Sequence, residues 1–396
     1  MKKGWTYKKL GDVCDIFNGN SINADYKQKH FYGAEGGVPF IATKDVSTIG
    51  TIDYNNGVRI PNYKDYKVAP ANSVFICAEG GSAGKKFAYV EQDVCFGNKL
   101  FCLNPKTDSL FGKFVYHYIQ SDLFKVQFYS LLTGLIGGVS AKKFQSIEIP
   151  LPPLPEQRSI VSRLDAAFAD IDALKANAEK QLGEARQLFQ SELTECMRPK
   201  KGWEEKKFKD LCSFIRGPFG GSLKKECFKE SGFAVYEQQN AIYDKFTFRY
   251  FIDKDKYNSM SRFAIKSGDL IMSCSGTIGK VAIISDEAQE GIINQALLKL
   301  TPKEKIDKFY LKYLMESELF KELIAQNSDG AAIKNIASVA ILKEIKLTIP
   351  PIEQQRHIVS HLDSLSAKAR ELEEIQRKTI AECDALKQAI LREVFE

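Results

Sequence analysis

The chain has 396 residues, 44% of them hydrophobic and 27% charged, with 56 Lys and Arg against 50 Asp and Glu for a formal net charge of +6. That is enough apolar material for two ordinary cores, while the absence of any run of about 18 apolar residues excludes a membrane-spanning helix. The mild basic excess favours a nucleic-acid partner only weakly, because many proteins carry as much.

The start, Met1-Lys2-Lys3-Gly4-Trp5, has no apolar stretch behind its lysines, so no secretory leader is expected. The nine cysteines are scattered and never spaced C-x-x-C, which suits reduced, mostly buried thiols in a cytoplasmic protein. Through residue 150, short β-like runs such as Ser73-Val74-Phe75-Ile76-Cys77 and Leu100-Phe101-Cys102-Leu103 alternate with turn signals at Asn18-Gly19, Asn55-Asn56-Gly57 and Gly80-Gly81. One helix is predicted near 111–129. Pro150, Pro152, Pro153 and Pro155 then stiffen the chain, and Glu156 suits the first turn of a helix. Val161, Leu164, Phe168, Ile171, Ala178, Leu182, Ala185 and Phe189 follow at steps of three and four, with Lys175 as a polar intruder. The spacing predicts a helix over 154–197, roughly 65 Å long.

The second half repeats this order. Asp269-Leu270-Ile271-Met272 and Gly291-Ile292-Ile293 read as strands, 307–326 as a helix, and Pro350-Pro351 leads into a second long helix over 352–395. Its stripe is Leu362, Leu365, Ala369, Leu372, Gln376, Thr379, Cys383, Leu386 and Ile390. The repeat keeps one register. Lys3-Gly4-Trp5 recurs as Lys201-Gly202-Trp203, Cys14 as Cys212 and Gly19 as Gly217. Far downstream Gln157-Arg158, Ile160-Val161-Ser162 and Leu164-Asp165 recur as Gln355-Arg356, Ile358-Val359-Ser360 and Leu362-Asp363. A period this long marks a duplicated domain rather than a solenoid, whose repeats run to about 20–50 residues.

The expected fold is therefore α+β, with globular heads over 1–153 and 199–350 and long helices over 154–198 and 351–396. A narrow apolar stripe cannot be hidden by one helix alone, so the two helices are expected to pair as an antiparallel coiled coil. That pairing would set the heads at opposite ends, related by a pseudo-two-fold axis. The alternative is that each helix packs on its own head.

This layout resembles the specificity subunit of type I restriction–modification systems, over the whole chain. The resemblance is carried by Ile149-Pro150-Leu151-Pro152-Pro153-Leu154-Pro155-Glu156-Gln157-Arg158 and by Ile349-Pro350-Pro351-Ile352-Glu353-Gln354-Gln355-Arg356, each followed by an Ile-Val pair. The opening Gly-Trp, Ser275-Gly276-Thr277-Ile278-Gly279-Lys280 and Asn294-Gln295 add to it; the first half departs to Gly81-Ser82-Ala83-Gly84-Lys85 and Asn98-Lys99. The resemblance implies two target recognition domains that read the halves of a split double-stranded DNA site. It implies helices that set the spacing and dock two methyltransferase subunits, with restriction subunits joining them. S-adenosylmethionine, ATP and Mg would be bound by those partners, and no cofactor or metal by this chain.

The residues themselves offer no catalytic set. The Pro-Pro pairs are flanked by Leu151 and Leu154 or by Ile349 and Ile352, with no amide or carboxylate to hold an exocyclic amine. Glu79 and Cys274 stand where a Walker A loop needs its first glycine. Asp25-Tyr26-Lys27 and Asp65-Tyr66-Lys67 lack the second carboxylate of a metal nuclease. His357 and His361 share a helix face without the Glu of a zinc protease, and a solvated pair is expected. The rivals to a DNA reader are a scaffold whose heads bind proteins and, third, a fused methyltransferase–nuclease.

Reading bases needs side chains with paired donors and acceptors. The halves diverge where Thr43-Lys44-Asp45 aligns with Gln238-Gln239-Asn240 behind a shared apolar run, which makes Thr43, Lys44, Gln238, Gln239 and Asn240 candidate readers. Basic residues beside glycines or in surface loops are the candidates for phosphate contact: Lys85, Lys86, Lys142, Lys143, Arg216, Lys224, Lys225, Lys280 and Lys334. Gln157, Arg158, Leu164, Gln355, Arg356 and Leu362 are the candidates for subunit docking and spacing.

Overall fold

Strands that are apolar at every position need a core on both faces, because successive side chains point to opposite sides. The computed structural model, which describes residues 4–133, 137–219, 221–274, 277, 279–326 and 339–396, supplies such a pair of cores twice. The chain divides into two compact units, Met1–Glu179 with Arg377–Glu396, and Lys180–Gln376. The division cuts through both long helices rather than following the expected boundaries between head and helix.

In the first unit the strands are β1 (Thr6–Lys9), β2 (Cys14–Asn18), β3 (Val38–Ile41), β4 (Arg59–Ile60), β5 (Val68–Ala69), β6 (Val74–Cys77), β7 (Phe87–Tyr89), β8 (Val94–Phe96), β9 (Leu100–Pro105) and β10 (Glu148–Leu151). They form an antiparallel sheet β2-β9-β6-β7, a mixed sheet β4-β3-β8-β5 in which β3 and β8 run parallel, and the pair β1-β10. Along β6, Val74 and Ile76 join a core containing Leu10, Leu103 and Phe114, while Phe75 and Cys77 join another containing Ile41, Phe96 and Cys102.

The second unit has the same build from β11 (Glu204–Lys207), β12 (Cys212–Arg216), β13 (Phe233–Tyr236), β14 (Phe251–Ile252), β15 (Leu270–Ser273), β16 (Val281–Ile283), β17 (Gly291–Ile293), β18 (Leu297–Pro302) and β19 (Lys346–Ile349). Its sheets are β12-β18-β15-β16, β14-β13-β17 and β11-β19, with β13 and β17 parallel. The counterpart of β5 shrinks to a single bridge, Ala264 to Ile292. The recurring Gly19 and Gly217 share a reason. A Cβ there would lie 2.2 Å from the Phe96 carbonyl oxygen and 1.8 Å from that of Asn294, respectively.

Each short helical region is broken where one helix was predicted. The first is Gly112–Tyr118 followed by Asp122–Ser130, and the second is Lys308–Glu316 followed by Glu318–Gln326. Buried serines make both breaks. Ser121 Oγ accepts from the Phe124 amide and donates to the Tyr118 carbonyl; Ser317 Oγ accepts from Phe320 and donates to Leu314. Each ends one helix and caps the next.

The long helices run over Leu154–Met197 and Ile352–Phe395 without interruption. They are antiparallel within each unit. In the first, Lys175 meets Asp384 at 2.7 Å and Lys387 meets Asp172. In the second, Gln376 Nε2 donates to Gln181 Oε1 at 2.9 Å, and Arg186 forms a two-pronged pair with Glu373. Packing on the heads holds as well. Ile160, Val161, Leu164, Phe168 and Ile171 share the first unit's core with Leu391 and Phe395, and Leu193, Met197, Val359 and Leu362 share the second unit's. Two positions of the expected stripe are corrected. Leu372 is 36% and Leu386 50% exposed, and beyond Cys383 the inward face passes to Leu391 and Phe395, because a straight helix drifts against a strict heptad.

Candidate nucleic-acid interface and helix anchors

The loop that follows β3, and its counterpart after β13, is where the two units differ in polar residues. Ile41 leads into a single 3-10 turn, Thr43–Asp45, and Tyr236 into the short helix Gln238–Tyr243. Asp45 Oδ2 accepts from the Ala42 amide at 2.8 Å, and Asn240 Oδ1 accepts from the Glu237 amide at 2.7 Å. Asn240 is 1% exposed and donates to the carbonyls of Lys245 and Thr247. It is a buried turn-builder, so the expectation that it reads a base is withdrawn. The divergence between units narrows to Thr43 and Lys44 against Gln238 and Gln239.

The surroundings of these pairs also differ. Lys86 Nζ donates to the Thr43 carbonyl at 2.8 Å, which ties that lysine to the loop as a support. In the second unit Arg249 makes two 2.9 Å bonds to Glu237 and lies 5.4 Å from the Tyr250 ring centroid, and Tyr250 stacks on Phe228. Nothing in the sequence marked Arg249. Lys44, Lys85, Lys142, Lys143, Lys224, Lys225 and Lys280 are exposed, with Lys85 Nζ bonded to the Gly81 carbonyl. Arg216 is half-buried beside Cys274, whose thiol burial pushes up to about 11. Lys3, Gly220, Ser275, Gly276, Ile278 and Lys334 lie outside the described residues.

Four of the six docking candidates serve as internal anchors instead. Gln157 and Gln355 are fully buried and make the same three bonds. Gln157 accepts from the Phe111 amide and donates to the Ser109 and Pro152 carbonyls; Gln355 accepts from Asp307 and donates to Lys305 and Pro350. Leu164 and Leu362 are 2% and 0% exposed in the two cores. All four fix the start of a long helix to the head beside it, which leaves no atom for another subunit. Arg158 and Arg356 are exposed, Arg158 over the Phe111 ring and Arg356 paired with Glu353.

Two turns beyond the glutamines, Asp165 bonds His117 Nε2 at 2.8 Å and Lys113 Nζ at 3.1 Å, and Asp363 accepts from the Tyr313 hydroxyl at 2.6 Å. The His117 bond first, and then Lys113, hold the Asp165 carboxyl below its usual range against the effect of burial. Their recurrence in the duplication was the signal for these two anchors. Replacing Gln355 by Ala removes its bonds to the half-buried Asp307 amide, the Lys305 carbonyl and the buried Pro350 carbonyl, so a loss of ~3 kcal/mol is expected. Arg356→Ala, with the side chain 63% exposed, should change stability by no more than ~0.5 kcal/mol. Urea denaturation of the full chain checks both.

No helix among the described residues is long and apolar enough to cross a membrane. The family described as type I restriction modification DNA specificity domain matches residues 2–183 and again 200–382. The chain belongs to that family. Its two matches follow the internal duplication, and its role is that of a specificity subunit, which recognises DNA for a type I enzyme and is not itself the catalyst. A relative from Methanocaldococcus jannaschii, the type I restriction enzyme MjaVIII specificity subunit, is 26% identical over 99% of this chain and 92% of that protein. The EcoBI specificity subunit of Escherichia coli is 23% identical over 99% of this chain and 85% of that one. The fold agrees with a solved chain from work on complex assembly and conformational transition of the type I R-M system, with a TM-score of 0.80 at 21% identity, covering 100% of this chain and 98% of that one. The HsdS subunit from Thermoanaerobacter tengcongensis gives 0.56 at 21% identity, covering 100% and 97%.

Proposed function

We propose that this specificity subunit reads a bipartite, asymmetric DNA site in the cytoplasm, with Thr43 and Lys44 serving one half and Gln238 and Gln239 the other. The observation that carries this reading is the matched pair of loops. Asp45 and Asn240 build the same turn, and the two residues before them change chemistry. Glutamine pairs with adenine and lysine with guanine through major-groove edges, so different residues on one scaffold suit two different half-sites. The exposed Lys85, Lys142, Lys143, Lys224, Lys225 and Lys280 are placed in the role of phosphate contacts, which orient without specifying sequence.

The long helices carry the subunit contacts in this reading, for two methyltransferase subunits and the restriction subunits. Leu174 and Leu386 in the first unit, and Leu188 and Leu372 in the second, are apolar and 36–61% exposed. They recur at the duplication offset, and exposed apolar residues on ordered helices suit docking. S-adenosylmethionine, ATP and Mg are assigned to the partners. The reading is tested by sequencing the methylome of cells that carry Thr43→Ala with Lys44→Ala beside the partner subunits. One half of the methylated motif should relax, by about 1–3 kcal/mol for each base that is no longer read, with the other half and the spacer unchanged. Gln238→Ala with Gln239→Ala should relax the opposite half. Relaxation of both halves by either variant, or of neither, contradicts the reading.

A further inference from the structure

We propose that the second unit holds a zinc-class divalent cation between the two long helices, bound by Glu192, Cys196 and His361. Glu192 and Cys196 are four residues apart on one helix face, and His361 comes from the antiparallel partner. Their carboxylate, thiol and imidazole donors all lie within 4.8 Å of one another. His361 Nε2 is 3.0 Å from Glu192 Oε1, and Cys196 Sγ is 3.7 Å from that oxygen. A tetrahedral zinc with bonds of about 2.0–2.3 Å sets its donors about 3.3–3.6 Å apart, so small side-chain rotations close the set. One sulfur, one nitrogen and one oxygen suit zinc, whereas magnesium and calcium prefer oxygen alone. Water completes the fourth position.

A His–Glu ion pair accounts for two of these groups, and the Cys196 thiol reaches the same Glu192 oxygen, so all three donors converge on one point. The duplication sharpens the point. The counterparts of Glu192 and Cys196 are Ile390 and Val394, which pack against the first unit's core, and the counterpart of His361 is Arg163. The donors are therefore no part of the shared framework, and two of the three stand where the other unit has hydrocarbon. Cys196 can also be reached. Seven of the nine cysteines are buried, and only Cys196 and Cys227 are intermediate. Zinc binds the thiolate form of cysteine, so metal uptake at Cys196 releases a proton. Held this way, the cation would staple the end of the first long helix to the start of the second.

The test is titration of the metal-free, reduced full chain with Co2+. A near-ultraviolet thiolate-to-cobalt band with tetrahedral visible bands should appear at one equivalent and be displaced by Zn2+. Cys196→Ser should abolish the thiolate band, His361→Ala should weaken binding by at least about tenfold, and Cys227→Ser should leave it unchanged. Zn2+ should raise the Tm of the parent chain but not of Cys196→Ser. Matching circular dichroism of the variants in chelator shows that they are folded. No thiolate band in the folded chain, a band that survives Cys196→Ser, or an unchanged affinity in His361→Ala overturns the proposal and leaves an ion pair only. DNA reading plays no part in this test.

Discussion

Cutting the chain after Pro199 should turn an asymmetric reader into a symmetric one. The fragment keeps the first head and the first long helix but loses Arg377–Glu396, and with it Cys383, Leu391 and Phe395 from the first unit's core. Phe395 alone touches two rings there, Phe114 at 5.3 Å and Tyr118 at 5.6 Å. At ~1.5–3 kcal/mol per side chain, removing all three exposes ~4–9 kcal/mol of apolar burial. The duplication supplies the replacement, since Leu193 and Met197 are the counterparts of Leu391 and Phe395 and are buried in the same manner in the second unit. A second copy of the fragment can therefore insert its own helix end. Micromolar association needs ~8 kcal/mol, which two repaired cores can supply. Sedimentation should show a dimer, and with methyltransferase subunits the dimer should prefer an inverted repeat of the first half-site. A monomer at tens of micromolar, or retention of the asymmetric site, contradicts the modular picture.

The sequence disclosed the long helices to the residue because an apolar stripe over 44 positions has few alternatives. It disclosed β6 and β15 because a strand between two cores must be apolar throughout. The helix breaks were missed although Ser121-Asp122-Leu123-Phe124 recurs as Ser317-Glu318-Leu319-Phe320, a cap signal visible twice. Aromatic spacing hid it. The polar residues were harder for a physical reason. A loop asparagine that reads a base and one that closes a turn look alike in sequence, and only the burial of Asn240 separates them. The recurrence of Gln157 and Gln355 marked scaffold rather than docking, since both amides are used up holding a helix to its head. Arg249 has no counterpart pattern at all, and its two bonds to Glu237 depend on a fold that brings residues 12 apart together.

The ruler is the second large effect. If the paired helices set the distance between half-sites, a matched insertion of Ala-Glu-Ala-Lys after Gln181 and after Gln376 adds about one turn, ~6 Å, to each. Making it in both helices at this pair, where Gln376 bonds Gln181, keeps the flanking ion pairs in step, including Lys175 with Asp384 and Arg186 with Glu373. B-DNA rises ~3.4 Å per base pair, so the spacer should grow by one or two pairs. The half-sites should keep their bases, because neither reading loop is touched.

Methylome sequencing of cells expressing the parent or the inserted chain, with the same methyltransferase subunits, decides the matter in one comparison. A helix ruler gives the same two half-sites with a spacer one or two base pairs longer. An unchanged spacer at full methylation, or altered half-site bases, would contradict it.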